Sequence, residues 1–222
     1  MAKKVFITAT GTDIGKTYVS ALIVRKMRES GLNCGYYKPV LSGVKEKDGK
    51  LTESDCNYVI NTAKLPVTAD ECVTYWWKEA VSPHLASKRA GQIIQTSQIL
   101  TDYKKICNKY DYVLVEGAGG ITCPLRLDNE IYLLKDLIKD LNIPVIIVAD
   151  GGLGTINSTL LTVEYARKNN IKINGIILNN FDSKNFMHID NLKQTEKLTS
   201  VKVIATVSPN SKDISLLNGY FE

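Results

Sequence analysis

The sequence lacks the features that mark several large classes of protein. It contains two histidines, and its five cysteines form no Cys-x-x-Cys pair, so neither a disulfide framework nor a zinc site is indicated. No apolar run approaches the roughly 20 residues that a membrane-spanning helix requires. The amino-terminal residues show no signal-peptide pattern. We therefore expect a cytoplasmic protein with reduced thiols.

Charge of one sign is not concentrated anywhere along the chain. The 28 basic and 23 acidic residues leave a net charge of +5, and the lysines are spread rather than clustered, so no nucleic-acid partner is expected. The 222 residues are 44% hydrophobic, which is sufficient for a core. We find no internal repeat, low-complexity tract or linker. These observations predict one domain that spans residues 1–222.

What the sequence does contain is a strand, a glycine-bearing turn and a helix start within residues 5–17. Residues 5–7 are apolar, residues 11–15 form the turn, and Lys16 and Thr17 begin the helix. This order is typical of a phosphate-binding loop, because the first turn of a helix offers unpaired N–H groups and partial positive charge. In such a loop the lysine reaches the β- and γ-phosphates and the threonine hydroxyl binds Mg²⁺.

The spacing of the loop is not the usual Gly-x-x-x-x-Gly-Lys-Thr. Thr10 stands where the first glycine belongs, and Gly11 follows one position late. The alternative is a β-to-α turn with an incidental Gly-Lys-Thr. The turn lies at the end of the first apolar strand, and this position favours the phosphate-binding loop. Alone, the loop predicts a nucleoside triphosphate and does not specify a reaction.

Strands alternate with helices along the rest of the chain, and several strands are apolar on both faces. This pattern predicts an α/β fold of the phosphate-loop NTPase type, with a parallel β-sheet flanked by helices on both faces. Ligands of such sheets bind at the carboxyl ends of the strands. The distinctive residues fall at predicted strand ends, in residues 11–17, 38–42, 116–120 and 151–154 and at Asn179.

Three stretches allow more than one interpretation. Pro39 predicts that the second strand is short or ends there. Residues 44–53 are polar and charged, so they are expected to form a surface loop. Residues 64–92 are harder to assign: Ser82-Pro83-His84 predicts a turn and a helix start, and Trp76 and Trp77 pack either in the core or against a partner.

Three charged residues could complete an ATP–magnesium site. Glu116 ends an apolar strand, where it could bind a metal, cap the next helix or pair with a lysine. Asp55 could bind the metal or simply cap a helix. Lys38 follows a core strand and could neutralise charge on a transferred phosphoryl group, although a solvated surface lysine is the alternative.

Taken together, these motifs resemble those of the dethiobiotin synthetases, the ATPases of the biotin pathway. The matching stretches are residues 10–17, 37–43, 54–55, 82–84 and 115–120. The resemblance runs from residue 5 to about residue 180. The Lys-Pro-x-x-Ser-Gly stretch is specific in combination with Glu-Gly-Ala-Gly-Gly, whereas each alone is shared with related ATPases.

The resemblance implies an ATP- and Mg²⁺-dependent ligase. Such an enzyme carboxylates diaminopelargonic acid with CO₂ and closes the ring to dethiobiotin through a phosphorylated carbamate. The resemblance also implies a homodimer without nucleic-acid or membrane partners.

Individual positions match the family's functional residues. Lys38 and Lys16 would be catalytic, and Ser42, Thr12 and Asn157 would contact substrate, with Asn157 in a stretch where the partner subunit meets the substrate carboxylate. The implied metal ligands are Thr17, Asp55 and Glu116. The implied nucleotide contacts are Asp13, Ile14, Gly15, Lys16, Thr17, Tyr18, Asp55, Glu116, Gly117, Ala118, Gly119, Asn179, Asn180 and Pro209. Residues 205–210 depart from the family's usual Gly-Glu-Ile-Pro segment, which leaves the Pro209 contact open.

A regulatory ATPase switch of the partitioning type is the alternative from another functional class. Such proteins usually carry a second lysine inside the loop, whereas residues 12–14 are Thr-Asp-Ile. Residues 217–222 also show no membrane-targeting amphipathic pattern. Both observations favour the synthetase.

Overall fold

The computed structural model describes residues 3–128 and 130–216, so residues 217–222 lie outside the described part of the chain. The strands are β1 (Lys3–Ala9), β2 (Cys34–Ser42), β3 (Lys45–Lys47), β4 (Lys50–Glu53), β5 (Val73–Trp77), β6 (Tyr112–Glu116), β7 (Pro124–Leu127), β8 (Ile131–Leu133), β9 (Val145–Asp150), β10 (Ile173–Asn179) and β11 (Val203–Thr206). The α-helices are α1 (Lys16–Glu29), α2 (Asp55–Ala63), α3 (Pro83–Arg89), α4 (Thr96–Lys109), α5 (Leu134–Leu141), α6 (Thr155–Lys168) and α7 (Phe186–Thr199).

Seven strands form the central sheet in the order β11-β10-β9-β1-β6-β2-β5. Every pairing within it is parallel. Parallel strands need crossover connections, and buried strands on both faces need apolar residues at consecutive positions. Strands β1 and β9 show this pattern, since their residues 5–9 and 145–149 are all buried. The predicted parallel α/β sheet is confirmed.

Each face of the sheet is covered by its own hydrophobic cluster. One cluster joins the sheet to α1 and α2 through residues such as Val19, Ile23 and Val59. The other joins it to α4, α5 and α6 through residues such as Ile99 and Leu137. Helices therefore pack on both sides, and the loops that follow the strands meet at one edge of the sheet.

Helix α2 begins with a serine cap, which leaves the carboxylate of Asp55 free to bind other groups. Ser54, not Asp55, is the N-cap, and its hydroxyl accepts the N–H of Asn57 at 3.2 Å. A serine at this position satisfies one of the unpaired N–H groups of the first turn. The interpretation of Asp55 as the cap is therefore wrong, and its carboxylate is available to other partners.

Two expectations for residues 39–53 are wrong. Strand β2 continues through Pro39 to Ser42. The β6 ladder ends at Tyr37 and the β5 ladder begins at Lys38, so the proline lies where β2 changes from one partner to the other. Residues 44–53 contain the antiparallel β3–β4 hairpin rather than an irregular loop, because Asp48 and Gly49 both adopt positive φ at its tip.

Residues 64–92 are more regular than the sequence suggested. They contain a 3₁₀ turn, the edge strand β5 and helix α3. Trp77 is buried in the core and its ring stacks on Tyr75, with ring centroids 6.0 Å apart. This resolves the role of Trp77 in favour of the core. No helix within the described residues is long and apolar enough to span a membrane.

Candidate functional site

The turn after β1 is built around a glycine with a left-handed backbone. Gly15 has φ +96° and directly precedes α1. A Cβ on Gly15 would lie 2.1 Å from the Asn179 side-chain nitrogen. Glycine is therefore required both by the backbone conformation and by the close approach of Asn179. No side chain caps the start of α1. The first N–H groups of the helix are therefore available to donate hydrogen bonds to an anion bound in the turn.

Lys16 is held over this turn. It is 7% exposed, and its Nζ donates to the Gly11 carbonyl at 3.1 Å. Burial lowers the pKa of Lys16, and the neighbouring Lys38 ammonium lowers it further. A buried cation near a second cation is electrostatically unsatisfied, which favours binding of a polyanion between them.

Lys38 is the centre of a buried ion-pair cluster. Its Nζ lies 2.5 Å from Glu116 Oε1 and 2.6 Å from Asp55 Oδ2. Burial lowers the pKa of Lys38, but the Glu116 and Asp55 carboxylates outweigh that effect, so its pKa is raised overall. Burial raises the pKa of Asp55, but the Lys38 ammonium reverses this, so its pKa is lowered overall. Both ions are therefore charged at neutral pH, and the interpretation of Lys38 as a solvated surface lysine is wrong.

Glu116 is the last residue of β6 and is completely buried. Its Oε1 accepts from the Thr17 hydroxyl at 2.7 Å as well as from Lys38. Its Oε2 accepts from the Tyr36 hydroxyl at 3.0 Å. A buried carboxylate is tolerated only when its oxygens are hydrogen-bonded or paired with a cation, and here both conditions are met.

Asn179, at the end of β10, connects the far side of the sheet to the loop. Its Nδ2 donates to the Ile14 carbonyl at 2.9 Å. Its Oδ1 is buried without a hydrogen-bond partner in the described part of the chain. A buried unpartnered acceptor is costly, so this oxygen is available for a donor group of a ligand.

These elements surround an open cavity of about 820 Å³. Of the residues predicted from the sequence, eleven line it: Thr12, Asp13, Gly15, Lys16, Thr17, Tyr18, Lys38, Ser42, Asp55, Ala118 and Gly119. The 117–120 turn reaches the cavity because Gly120 packs closely on the Ala9 carbonyl, where a Cβ would lie at 3.3 Å. The structure thus brings most of the predicted residues together in one place.

The other predicted residues do not line the cavity of this chain. Glu116 is linked to it through the hydrogen bond that Thr17 donates. Ile14 accepts a hydrogen bond from Asn179, which also lies outside the lining set. Asn180 turns its amide to Asp150 Oδ2 at 2.8 Å. Three further residues are also outside the lining set: Gly117, Asn157 and Pro209.

Sequence reasoning missed several residues of the site. Tyr58, Val81 and Cys123 line the cavity without belonging to any recognised motif. Burial raises the pKa of the Cys123 thiol to about 11, so it is not a thiolate at neutral pH. Tyr36 could have been found, because it lies two positions before Lys38 and side chains two apart on a strand share a face.

Comparison with known proteins gives matches over nearly the whole chain. Residues 3–215 match the family model described as AAA domain. A protein of Clostridium botulinum named "ATP-dependent dethiobiotin synthetase BioD" is 50% identical over 216 residues, which cover 97% of this chain and 95% of that protein. A protein of the same name from Brachyspira hyodysenteriae is 53% identical over 208 residues, covering 93% and 92%.

Solved structures with the same fold are more distant in sequence. The septum site-determining protein MinD of Pyrococcus horikoshii, complexed with Mg-ADP, matches with a TM-score of 0.58 and 18% identity, over 94% of this chain and 82% of that one. A ParA family ATPase from Chlorobium tepidum matches with a TM-score of 0.54 and 14% identity, and the match covers 95% of this chain and 85% of that one. At this identity the likeness shows the fold alone.

Proposed function

Because this chain belongs to the family of ATP-dependent dethiobiotin synthetases, we propose that it makes dethiobiotin in biotin biosynthesis. The observation that carries the proposal is the position of Lys38. It lies beside the phosphate-binding loop, buried between Glu116 and Asp55, in the cavity that Ser42 also lines. A positive charge fixed at that point suits a reaction in which an anionic acceptor receives a phosphoryl group.

The reaction proceeds in three steps, which are carbamate formation, phosphoryl transfer and ring closure. One amine of diaminopelargonic acid adds to CO₂ and loses a proton, which gives a carbamate. A carbamate oxygen attacks the γ-phosphorus of ATP, and ADP leaves. The second amine attacks the carbamate carbon, and the bond from that carbon to the phosphate oxygen breaks. The attacking nitrogen loses a proton, which leaves with the departing phosphate, as the cyclic urea closes. Positioning and charge stabilisation suffice for these steps.

The loop residues bind and orient the nucleotide in this proposal. Lys16 exchanges its contact with the Gly11 carbonyl for the β- and γ-phosphates, and the unpaired N–H groups at the start of α1 bind the same anion. Lys38 stabilises the carbamate and the transferring phosphoryl. Ser42 and Thr12 line the cavity where the substrate would bind.

Hard oxygen ligands for Mg²⁺ are present next to these lysines. Thr17 donates to Glu116, and both Glu116 and Asp55 contact Lys38, so three oxygen-bearing side chains converge. Mg²⁺ prefers oxygen ligands and usually keeps waters and substrate phosphates among them. Among the described residues, no group of three or more His, Cys, Asp or Glu side chains is placed to hold a metal ion. The phosphates of the nucleotide would therefore have to supply further ligands. When bound, the ion would neutralise phosphate charge.

The base of ATP would be read on the other side of the loop. The unpartnered Asn179 Oδ1 can accept a hydrogen bond from the exocyclic amino group of adenine. The Nδ2 group of Asn179 already donates one hydrogen to Ile14, so only its second hydrogen is available to the base. Asn180 and Pro209 complete the proposed nucleotide contacts.

A homodimer would account for the position of Asn157. This residue is exposed on α6 and does not line the cavity of its own chain. The adjoining surface is apolar, with Leu153 91% exposed and Leu161 62% exposed. Such a surface suits a second copy of the chain, whose substrate carboxylate Asn157 would contact. We further propose that residues 1–222 act as one catalytic domain in the cytoplasm.

Phosphate release from ATP tests the function directly. The assay contains the protein, Mg²⁺, diaminopelargonic acid and bicarbonate, and each component is omitted in turn. We expect release to require both the diamine and bicarbonate, and mass spectrometry to detect dethiobiotin. Release without the diamine, or release stimulated by a protein or a membrane instead, would favour the regulatory ATPase switch.

A further inference from the structure

We infer that Tyr36 is a positioning residue for Glu116. Its hydroxyl holds one carboxylate oxygen, so that the other oxygen alone faces Thr17, Lys38 and the cation bound beside them. The inference rests on the function proposed above, because it concerns the proposed metal ligand. It adds a residue that none of the sequence motifs contains.

The register of the sheet explains why Tyr36 reaches Glu116. Tyr36 on β2 is paired with Leu114 on β6, and Glu116 follows Leu114 by two positions. Residues two apart on a strand point to the same face, so the tyrosine ring runs along that face toward the carboxylate. Lys38 is two positions beyond Tyr36 on the same face, and it reaches the same carboxylate from the cavity side.

The two oxygens of Glu116 are therefore divided between two environments. Oε2 lies toward the core, where the Tyr36 hydroxyl donates to it at 3.0 Å and Tyr36 is only 2% exposed. Oε1 lies toward the loop, where Thr17 and Lys38 donate to it. A donor on Oε2 keeps that oxygen from rotating toward a cation at Oε1. Glu116 is thereby limited to one metal-facing oxygen.

A carboxylate that offers only one oxygen to a cation favours Mg²⁺ over Ca²⁺. Mg²⁺ requires near-octahedral geometry at short distances, whereas the larger Ca²⁺ accepts more ligands and readily binds both oxygens of a carboxylate. Removal of the phenol hydroxyl frees Oε2 and permits two-oxygen binding. Groups that orient a metal ligand typically change metal affinity by about 10- to 100-fold when they are removed.

The neighbouring residue supplies a matched control. Tyr37 is also fully buried and its hydroxyl also makes hydrogen bonds, to Thr74 at 2.5 Å and to the Ile99 carbonyl at 3.2 Å. It belongs to the hydrophobic cluster on the opposite face of the sheet from Tyr36. Tyr37→Phe thus removes a buried phenol hydroxyl from the same strand without touching Glu116.

The test is ADP binding by isothermal titration calorimetry at increasing Mg²⁺ or Ca²⁺, with no turnover involved. For Tyr36→Phe we expect that about ten times more Mg²⁺, or more, is needed to reach half of the maximal increase in ADP affinity. We also expect a smaller difference between the Mg²⁺ and Ca²⁺ concentrations that reach this point. For Tyr37→Phe we expect both quantities to match the wild type. Thermal melting of each variant confirms that it is folded.

Two results would overturn the inference: a Tyr36→Phe variant with wild-type metal dependence, or equal shifts in both variants. If the wild-type protein itself binds ADP without regard to Mg²⁺, the proposed metal site fails first, and the inference fails with it. Should Tyr36→Phe not fold, a crystal structure of the wild type with Mg²⁺ and a non-hydrolysable ATP analogue decides. It must retain the contact from Tyr36 to Oε2, and an Oε2 turned onto the cation would contradict us.

Discussion

The carboxyl edge of the sheet contains two clusters that differ in their chemistry. The charged cluster, at the ends of β2 and β6 and the starts of α1 and α2, comprises Lys16, Thr17, Lys38, Asp55 and Glu116. The amide cluster comprises Asp150, Asn179 and Asn180 at the ends of β9 and β10, together with Asn191 of α7. The first brings opposite charges together, with Lys38 and Glu116 buried and Asp55 partly exposed, whereas three of the four members of the second are neutral amides.

The two clusters also bond to different groups. The members of the charged cluster bond mainly to one another, through distances of 2.5 to 2.7 Å. Two of the amides bond to backbone: Asn191 donates to the carbonyls of Gly151 and Gly152 at 3.0 and 2.9 Å, and Asn179 donates to that of Ile14. The third, Asn180, donates to Asp150 Oδ2 at 2.8 Å. Charges act over longer distances and are costly to unpair when buried. We therefore predict that substitutions in the charged cluster change turnover more than substitutions in the amide cluster.

The strongest test of this division compares two lysines of the charged cluster. We expect Lys16→Ala and Lys38→Ala each to reduce turnover by about 10²-fold or more, as for other preorganised charges. Lys16→Ala should also weaken ATP binding, and Lys38→Ala should leave it largely intact. Phosphate release gives turnover, and calorimetry with ATP analogues gives affinity.

A suitable control for the two lysines is Lys45→Ala, because Lys45 forms an ion pair with Glu53 at the exposed surface. Its turnover should equal that of the wild type. Normal turnover in a folded Lys38→Ala variant would show that the charge at this position is not used in the reaction.

An intermediate effect is expected in the amide cluster. Asn179→Ala removes one amide contact to the loop and the acceptor proposed for the base, so we expect about tenfold weaker nucleotide binding, the size of one net hydrogen bond. Turnover at saturating ATP should change little. Asn169→Ala is the matched control, since that amide donates to the Tyr165 carbonyl within α6. A loss of turnover as large as that of Lys38→Ala would end the distinction between the clusters.

The smallest effect concerns acid stability. Lys38 keeps the pKa of Asp55 below its value in the unfolded chain, about 3.9. Its contribution to the free energy of unfolding is therefore complete above pH 4 and is lost as the pH falls through the folded-state pKa. We expect Asp55→Asn to be less stable than the wild type above pH 4, with the difference shrinking below it. Urea unfolding from pH 2.5 to 6 measures this.

The exposed Glu53→Gln variant serves as the reference for the acid series. Glu53 pairs with Lys45 at the surface, with its side chain 70% exposed, so its removal should leave the curve almost unchanged. A constant difference between Asp55→Asn and the wild type across the whole range would mean that Asp55 does not stabilise the fold through its charge.

The charged cluster was largely predictable from its motifs, whereas in the amide cluster only Asn179 and Asn180 were predicted, from the family resemblance. Lys16 and Thr17 belong to a contiguous motif, Glu116 ends an apolar strand, and Lys38 belongs to the Lys-Pro-x-x-Ser-Gly stretch, so local order sufficed. The contact of Asn179 with Ile14 joins residues 165 positions apart and depends on the sheet register. Such a contact has no local signal.

The errors of prediction share a physical cause as well. Pro39 was expected to shorten or end a strand, because proline cannot donate to the ladder and is normally confined to edge strands, first positions and bulges. Strand β2 instead changes partners from β6 to β5 at this point. Similarly, Asp55 and Ser54 both suit a helix cap, and only the backbone geometry decides that Ser54 is used. Tertiary context overrides local preference in both cases.

The position of β1 in the sheet has a consequence for how the protein is made. The strand comes first in the chain, yet it lies between β6 and β9, which begin at Tyr112 and Val145. A ribosome adds roughly 5–20 residues per second, so the phosphate-binding loop waits many seconds for the strands on either side of it. During that time the backbone N–H and C=O groups along both edges of β1 have no strand partner, and such edges are open to aggregation. A nascent chain of this kind would benefit from a chaperone until residue 150 has left the exit tunnel.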